Sequence, residues 1–166
     1  MKNIVGLLTF FTLFTAQAET KLVSVNTETT DDKMYFHFEF DQPLAQGEIT
    51  ANFIRRTIEW DMKGYSISKD KIFKNIKKDN VQNVYISQNA KDEVRVRINL
   101  TKSETASVYH ERLSFRKKGN RLTLIMDKSV PLAKEKMKEV SRVYSIMADI
   151  RGTKLAKHFE AQGVLN

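Results

Sequence analysis

The histidines and acidic residues of this 166-residue chain do not form the groups that catalysis or metal binding requires. His37, His110 and His158 are far apart, and no two of them have the i, i+4 spacing of a helical metal site. A zinc site needs three or four clustered ligands, and the chain contains no cysteine. A G-x-S-x-G nucleophile motif and a glycine-rich phosphate loop are also absent. The sequence therefore predicts a protein that is not an enzyme and that holds no metal or other cofactor.

Basic residues, by contrast, are concentrated in two stretches. Lys63–Lys78 holds six lysines against one aspartate, and Arg112–Lys128 holds six basic residues against one aspartate. Because arginine and lysine pair with carboxylates and phosphates, these stretches could recognise an anionic polymer. The alternative is that lysines on exposed strands only discourage edge-to-edge aggregation. The net charge of +8 is compatible with both interpretations.

The N-terminus has the three parts of a secretory signal peptide. Met1–Asn3 is positively charged, Ile4–Phe14 carries no charge, and Ala16 and Ala18 occupy the −3 and −1 positions of a cleavage site. As a helix, the apolar stretch would reach roughly 16 Å, about half of a bilayer's hydrocarbon core. We therefore expect residues 1–18 to be removed after Ala18 and the protein to reach the periplasm. An exported protein that does not span the membrane has no nucleic acid as a partner.

Apolar residues of the following region alternate with period two, which indicates β-strands. The clearest run is Lys33–Phe40, where four large apolar residues share one face, and Pro43 follows the end of this strand. Gly119 and Asn120 mark the turn of a later hairpin. With about eight such short strands, residues 19–130 are predicted to form a mainly β, two-sheet antiparallel β-sandwich. The Lys69–Lys78 stretch fits either a helical turn or a loop.

The pattern changes in residues 131–166, where apolar residues recur at helical spacing. This spacing predicts a C-terminal amphipathic helix, with Pro131 near its start. Such a helix would either pack on the sheets or bind a protein of the cell envelope. Its candidate partner-binding residues are Val140, Val143, Tyr144, Met147 and Ile150.

Three segments, in this order, resemble the AMIN domain, a small periplasmic module. Thr57–Gly64 is similar to one of its strand ends, Val84–Asn89 and Asp92–Leu100 are similar to its central hairpin, and Gly119–Leu124 is similar to its closing hairpin. The resemblance covers about Leu22–Lys128 and implies a β-sandwich of two small sheets. AMIN modules bring septal amidases and type IV pilus secretins to the cell wall, so the resemblance also implies peptidoglycan as the ligand.

The chain departs from this pattern in two respects. No amidase or secretin domain follows, so we expect a stand-alone module, and Asn99 stands where the family often has aspartate. Arg95 matches the family's arginine. The candidate ligand-binding residues, taken from this resemblance and from the basic hairpin, are Gln88, Arg95, Arg97, Arg116, Lys117, Lys118 and Arg121.

Together these features predict a non-catalytic module that binds peptidoglycan and localises or anchors an envelope complex. The alternative is an assembly subunit of a pilus, secretion or flagellar machine that acts only through protein–protein contacts.

Overall fold

The computed structural model describes residues 20–101, 104–134 and 136–148. The predicted signal peptide lies outside this part of the chain, as do His158 and Ile150. The strands of the described part are β1 (Thr20–Thr29), β2 (Lys33–Phe40), β3 (Gly47–Ile54), β4 (Thr57–Lys63), β5 (Tyr65–Ile67), β6 (Lys71–Lys78), β7 (Val81–Ala90), β8 (Glu93–Leu100), β9 (Leu113–Lys118), β10 (Arg121–Asp127) and β11 (Glu139–Ala148). A short 3-10 helix, η1, covers Ala106–Arg112.

The strands form two sheets in an open, sandwich-like arrangement. The first sheet has the order β5-β1-β2-β10-β9, and the second has the order β3-β4-β8-β7-β6. Neighbouring strands are antiparallel, except that β1 and β5 are parallel. Strand β11 pairs antiparallel with β3 and, at its last two residues, parallel with β9, so it joins the two sheets along one side. The predicted mainly β architecture with two sheets is therefore confirmed.

Aromatic side chains from both sheets fill the core. Trp60 of β4 is fully buried and makes T-shaped contacts with Phe38 of β2 and Phe115 of β9, at ring-centroid distances of 5.6 and 5.4 Å. Such edge-to-face pairs add to the stabilisation that comes from burying apolar area. Phe36 and Phe40 are also buried, as the alternation in Lys33–Phe40 predicts. This packing fixes which side of each strand faces solvent, and thereby the polar face described below.

The predicted C-terminal helix is wrong over Glu139–Ala148, because these residues form strand β11. Tyr144 is 8% exposed while its neighbour Val143 is 55% exposed, so consecutive side chains point to opposite sides, as a strand requires. The predicted helix had both residues in its apolar stripe. The β-branched and aromatic residues here favour a strand, and pairing with β3 supplies the hydrogen bonds.

The Lys69–Lys78 stretch is largely strand β6, so neither a helical turn nor a loop describes it. Ile72 and Ile76 are partly buried and pack against the core, with exposed residues between them. The lysines of this strand obscure the short apolar alternation in the sequence. No helix in the described ranges is long and apolar enough to cross a membrane.

Candidate functional site

The polar side of the second sheet, which we call the outer face, carries the residues that alternate with the core residues of each strand. On β4 the core residues Ile58 and Trp60 alternate with outward-facing Thr57, Glu59 and Asp61. The outer face comprises these three residues and the residues in register with them, namely Asn52, Ile54, Lys71, Phe73, Asn75, Asn83, Tyr85, Ser87, Arg95, Arg97 and Asn99.

One transverse row of the outer face combines charge with aromatic rings. Strand pairing aligns Glu59, Arg97, Tyr85 and Phe73 across β4, β8, β7 and β6. Arg97 Nε donates to Glu59 Oε2 at 2.5 Å. Phe73 lies on β6, the last strand of the sheet, and is 61% exposed. An exposed aromatic ring of this size beside polar groups is the kind of surface that proteins use for binding.

Arg95, the first candidate from the sequence, is engaged within the protein. Its Nε and Nη2 donate to the two carboxylate oxygens of Asp61, both at 2.7 Å, and Nε lies 3.6 Å from Glu59 Oε1. The hydrogen bond with Asp61 is the main cause that raises the pKa of Arg95, and the negative charges of Glu59 and Asp61 add to it. Arg95 is thus a permanent cation whose bidentate partner is already present. Its role in ligand binding stays a prediction.

Gln88 holds the turn between β7 and β8. Its Oε1 accepts a hydrogen bond from the Ile67 N–H at 2.9 Å, and its Nε2 donates to the carbonyls of Ala90 and Lys91 at 2.7 and 3.2 Å. The amide therefore ties this turn to β5. These contacts give Gln88 a structural function, and no contact of the described chain tests its predicted role in binding.

The four basic candidates of the β9–β10 hairpin lie on the first sheet, so the structure does not bring all seven candidates together on one sheet. Lys117 Nζ donates to the Leu44 carbonyl at 2.6 Å, and Arg121 Nε pairs with Glu39 at 2.5 Å. Arg116 and Lys118 are exposed, and neither side chain has a partner in the described residues. Among the contacts of the described residues, these two therefore stand out as the free cations of the hairpin.

A relay of amide groups, which the sequence did not reveal, crosses another row of the outer face. Thr57 Oγ1 donates to Asn99 Oδ1 at 3.0 Å, and Asn99 Nδ2 donates to Asn83 Oδ1 at 2.7 Å. Asn83 Nδ2 has no partner within the described ranges. Asn99 is both acceptor and donor here, whereas the aspartate that the AMIN pattern often shows could only accept when ionised.

Two arginines missed at the sequence level form the turn between β3 and β4. Arg55 and Arg56 are exposed, and no described residue forms an ion pair or hydrogen bond with either guanidinium. The available signal was the two-residue gap between two alternating segments, but the Arg-Arg pair in it lacks the glycine or asparagine that usually marks a hairpin turn. The two arginines also lie outside the two basic stretches of the sequence, Lys63–Lys78 and Arg112–Lys128.

Two depressions meet at this turn. One has a volume of about 360 Å³ and is lined by Ile54, Arg55, Thr57, Glu59, Arg97, Lys138 and Glu139. The other has a volume of about 330 Å³ and is lined by Arg55, Arg56, Thr57, Gln82, Asn83, Asn99 and Leu100. Because they share Arg55 and Thr57, they extend from either side of the turn.

The histidines of the described chain are engaged in local contacts. His37 Nδ1 lies 3.0 Å from Thr123 Oγ1, and His110 Nδ1 lies 2.7 Å from the Ser107 carbonyl. Across the described residues, no three His, Asp or Glu side chains are grouped closely enough to hold a metal ion. The outer face therefore offers groups for binding, and the absence of enzymatic activity stays a prediction.

The comparisons with known proteins leave the family of the chain open. No family model matches the sequence, and neither a curated protein nor a solved structure matches it significantly. The resemblance to the AMIN domain accordingly stays a prediction.

Proposed function

We propose that this chain is an exported, non-catalytic module that binds peptidoglycan through the outer face and thereby localises an envelope complex. The observation that supports this most is the row in which Arg97, Tyr85 and the 61% exposed Phe73 lie side by side. Aromatic rings pack against the apolar faces of sugars, while guanidinium and amide groups donate hydrogen bonds to their oxygens and to carboxylates. Peptidoglycan offers both kinds of group.

The test is co-sedimentation of the chain, without residues 1–18, with purified sacculi. We expect binding at low ionic strength that weakens as NaCl rises from about 50 mM to about 500 mM, because salt screens contacts between exposed charges. Failure to sediment with sacculi at low salt would contradict the proposal.

Substitutions can locate the binding surface. Phe73→Ser should reduce sedimentation, whereas Val23→Ser should not, because Val23 is an exposed apolar residue of β1 in the first sheet. Neutralising Arg116 and Lys118 tests the hairpin separately. If that variant lost sacculus binding while Phe73→Ser bound normally, the binding site would lie on the first sheet and not on the outer face.

The alternative function, an assembly subunit that acts only through protein contacts, is favoured by the exposed apolar residues Val143 and Met137 near the C-terminal end of the described chain. Deleting residues 132–166 would not test it cleanly, because the deletion removes β11, which pairs with both sheets. Val143→Arg changes the exposed surface and leaves the strand intact. Normal sacculus binding of this variant combined with loss of complex localisation in cells would support the alternative.

A further inference from the structure

The depression of about 330 Å³ beside the β3–β4 turn is lined by cations and by hydrogen-bonding groups, and no acidic residue lines it. Two arginines, three side-chain amides and one hydroxyl surround it. The depression on the other side of the turn differs, because Glu59 and Glu139 line it together with Arg97 and Lys138. Because Arg55 lines both depressions, the second has three cations against two carboxylates, while the first has two arginines and no carboxylate. The first depression therefore carries the larger excess of positive charge.

Unlike the two arginines of the outer face, Arg55 and Arg56 lack a partner in the described chain. Arg95 pairs with Asp61 and Arg97 pairs with Glu59. The two turn arginines are adjacent in sequence and have no counterion in the described chain. Because like charges close together repel, an anion bound between them would relieve this repulsion.

The backbone of the turn holds Arg55 in an unfavourable conformation. Its φ of 52° lies in the left-handed region, which Gly and Asn adopt more readily and which costs other residues about 1 kcal/mol. The carbonyl of Arg55 accepts from the Ala106 N–H at 2.7 Å, and that of Arg56 accepts from the Leu100 N–H at 2.8 Å. These two contacts fix the turn, so the arginine side chains project from a preorganised backbone.

The amide relay adds a directed donor to the same depression. Thr57 donates to Asn99 and Asn99 donates to Asn83, which leaves the Nδ2 hydrogens of Asn83 without an acceptor in the described ranges. Hydrogen bonds in a chain polarise one another in the same direction. The lining thus presents two charged donors together with neutral amide donors, and the complementary ligand group is an oxyanion.

We propose that this depression, the turn pocket, binds a carboxylate group. If the proposed function is correct, on which this assignment of the source rests, the carboxylate belongs to the stem peptide of peptidoglycan. Guanidinium groups bind carboxylates through short, charge-assisted hydrogen bonds. A volume of about 330 Å³ is at the small end of ligand sites and suits a carboxylate with its adjoining residue.

Titration of the ¹⁵N-labelled protein by NMR tests the turn pocket. The probes are the stem tripeptide L-Ala-γ-D-Glu-L-Lys, the same tripeptide with its carboxylates amidated, and inorganic phosphate. We expect the free tripeptide to shift the side-chain amide signals of Asn83 and Asn99 and the backbone amides of Arg55 and Arg56. The amidated tripeptide should bind at least about tenfold more weakly, a difference of about 1.4 kcal/mol.

Two variants remove the positive charge with little effect on the fold. Arg55→Asn keeps a residue that tolerates positive φ, and Arg56→Gln keeps a long polar side chain. Each should weaken tripeptide binding by about tenfold. Lys91→Gln is the matched control, because Lys91 is an exposed cation in the turn at the other end of β7 and β8.

The outcomes separate this inference from the proposed function. Equal binding of free and amidated tripeptides, or unchanged tripeptide binding by both arginine variants, would overturn the proposal that the turn pocket binds a carboxylate. This holds even if the protein binds sacculi. Stronger binding of phosphate than of tripeptide at the same amides would overturn the assignment to a carboxylate. Tripeptide binding without sacculus binding would support the pocket and contradict the proposed function.

Discussion

Arg95 of β8 and Asp61 of β4 form a bidentate ion pair across the two strands, with Nε–Oδ1 and Nη2–Oδ2 distances of 2.7 Å. Their side chains are 26% and 30% exposed. Glu59 extends the pair to Arg97, because its carboxylate lies 3.6 Å from Arg95 Nε and 2.5 Å from Arg97 Nε. Two cations and two anions thus balance at the centre of the outer face. At the β3–β4 turn, by contrast, Arg55 and Arg56 have no counterion in the described chain.

Arg95→Ala is expected to lower stability more than it lowers sacculus binding, because the guanidinium is held by Asp61. In a cycle with Asp61→Ala and the double variant, we expect a coupling energy of about 1 kcal/mol in urea unfolding experiments, at the upper end for partly exposed pairs. The coupling should fall as salt is added.

If the stability loss of the double variant equalled the sum of the losses of the two single variants, the predicted coupling would be contradicted. If Arg95→Ala instead abolished sedimentation at unchanged stability, the ligand-binding role predicted for Arg95 from the sequence would be supported.

Tyr144→Ala should destabilise the protein by about 3 kcal/mol, since it removes a buried aromatic side chain from β11. The Tyr144 ring contacts Phe115 at 5.4 Å, and its hydroxyl donates to the His110 carbonyl at 2.6 Å. Burial also raises the pKa of Tyr144 to about 12. Chemical denaturation measures the loss of stability.

Val143→Ala is the matched control and should change stability by no more than about 0.5 kcal/mol, because this residue is 55% exposed. If both residues faced the core, as in the predicted helix packed on the sheets with both in its apolar stripe, both variants would be damaging. Similar losses for the two would therefore contradict the strand.

The sequence predicts best where core contacts and local pattern agree. Lys33–Phe40 alternates strictly because one side of β2 is buried, and the same holds for β4 and β8. The hairpin turn at Gly119 is recognisable because few residues adopt positive φ. In these segments the pattern of residues close together in the sequence is enough to predict the strands and the turn.

The structure of the segments that were predicted wrongly or missed depends on pairing between strands that are far apart in the sequence. Val140 and Tyr144 are four residues apart, which fits both a helix face and one side of a strand, and pairing with β3 selects the strand. The turn pocket was not visible because Arg55, Asn83 and Asn99 come from three distant parts of the chain. Their proximity depends on the order of β3, β4, β8 and β7 in the sheet.

Gly119→Ala should destabilise the protein by about 1 kcal/mol through the backbone alone. Gly119 has a φ of 58°, and a Cβ atom added there would meet no atom within 4 Å, so the cost is that of the left-handed conformation. The matched control is Gly47→Ala, where the space is equally open and no positive φ is required. We expect this control to be neutral or slightly stabilising in thermal unfolding. Equal effects of the two substitutions would contradict the role of the turn.

Ser129→Ala should raise the pKa of Asp127. The Ser129 hydroxyl and backbone N–H donate to Asp127 Oδ1 at 2.5 and 3.0 Å, and Lys33 Nζ lies 3.4 Å from Oδ2. These contacts, with that of the Ser129 hydroxyl the largest, lower the pKa of Asp127 in the folded protein. The folded state therefore gains stability above the unfolded pKa of about 3.9, and this gain is lost as the pH falls through the folded pKa.

Titration of the Asp127 carboxyl carbon by NMR measures this pKa directly, and Ser114→Ala, which alters an exposed serine of β9, is the control. The wild-type protein should exceed Ser129→Ala in stability at neutral pH, and the difference should shrink as the pH falls below about 4. An unchanged pKa in Ser129→Ala would contradict the role of the Ser129 hydroxyl and would leave the Ser129 N–H and Lys33 as the contacts that lower the pKa of Asp127.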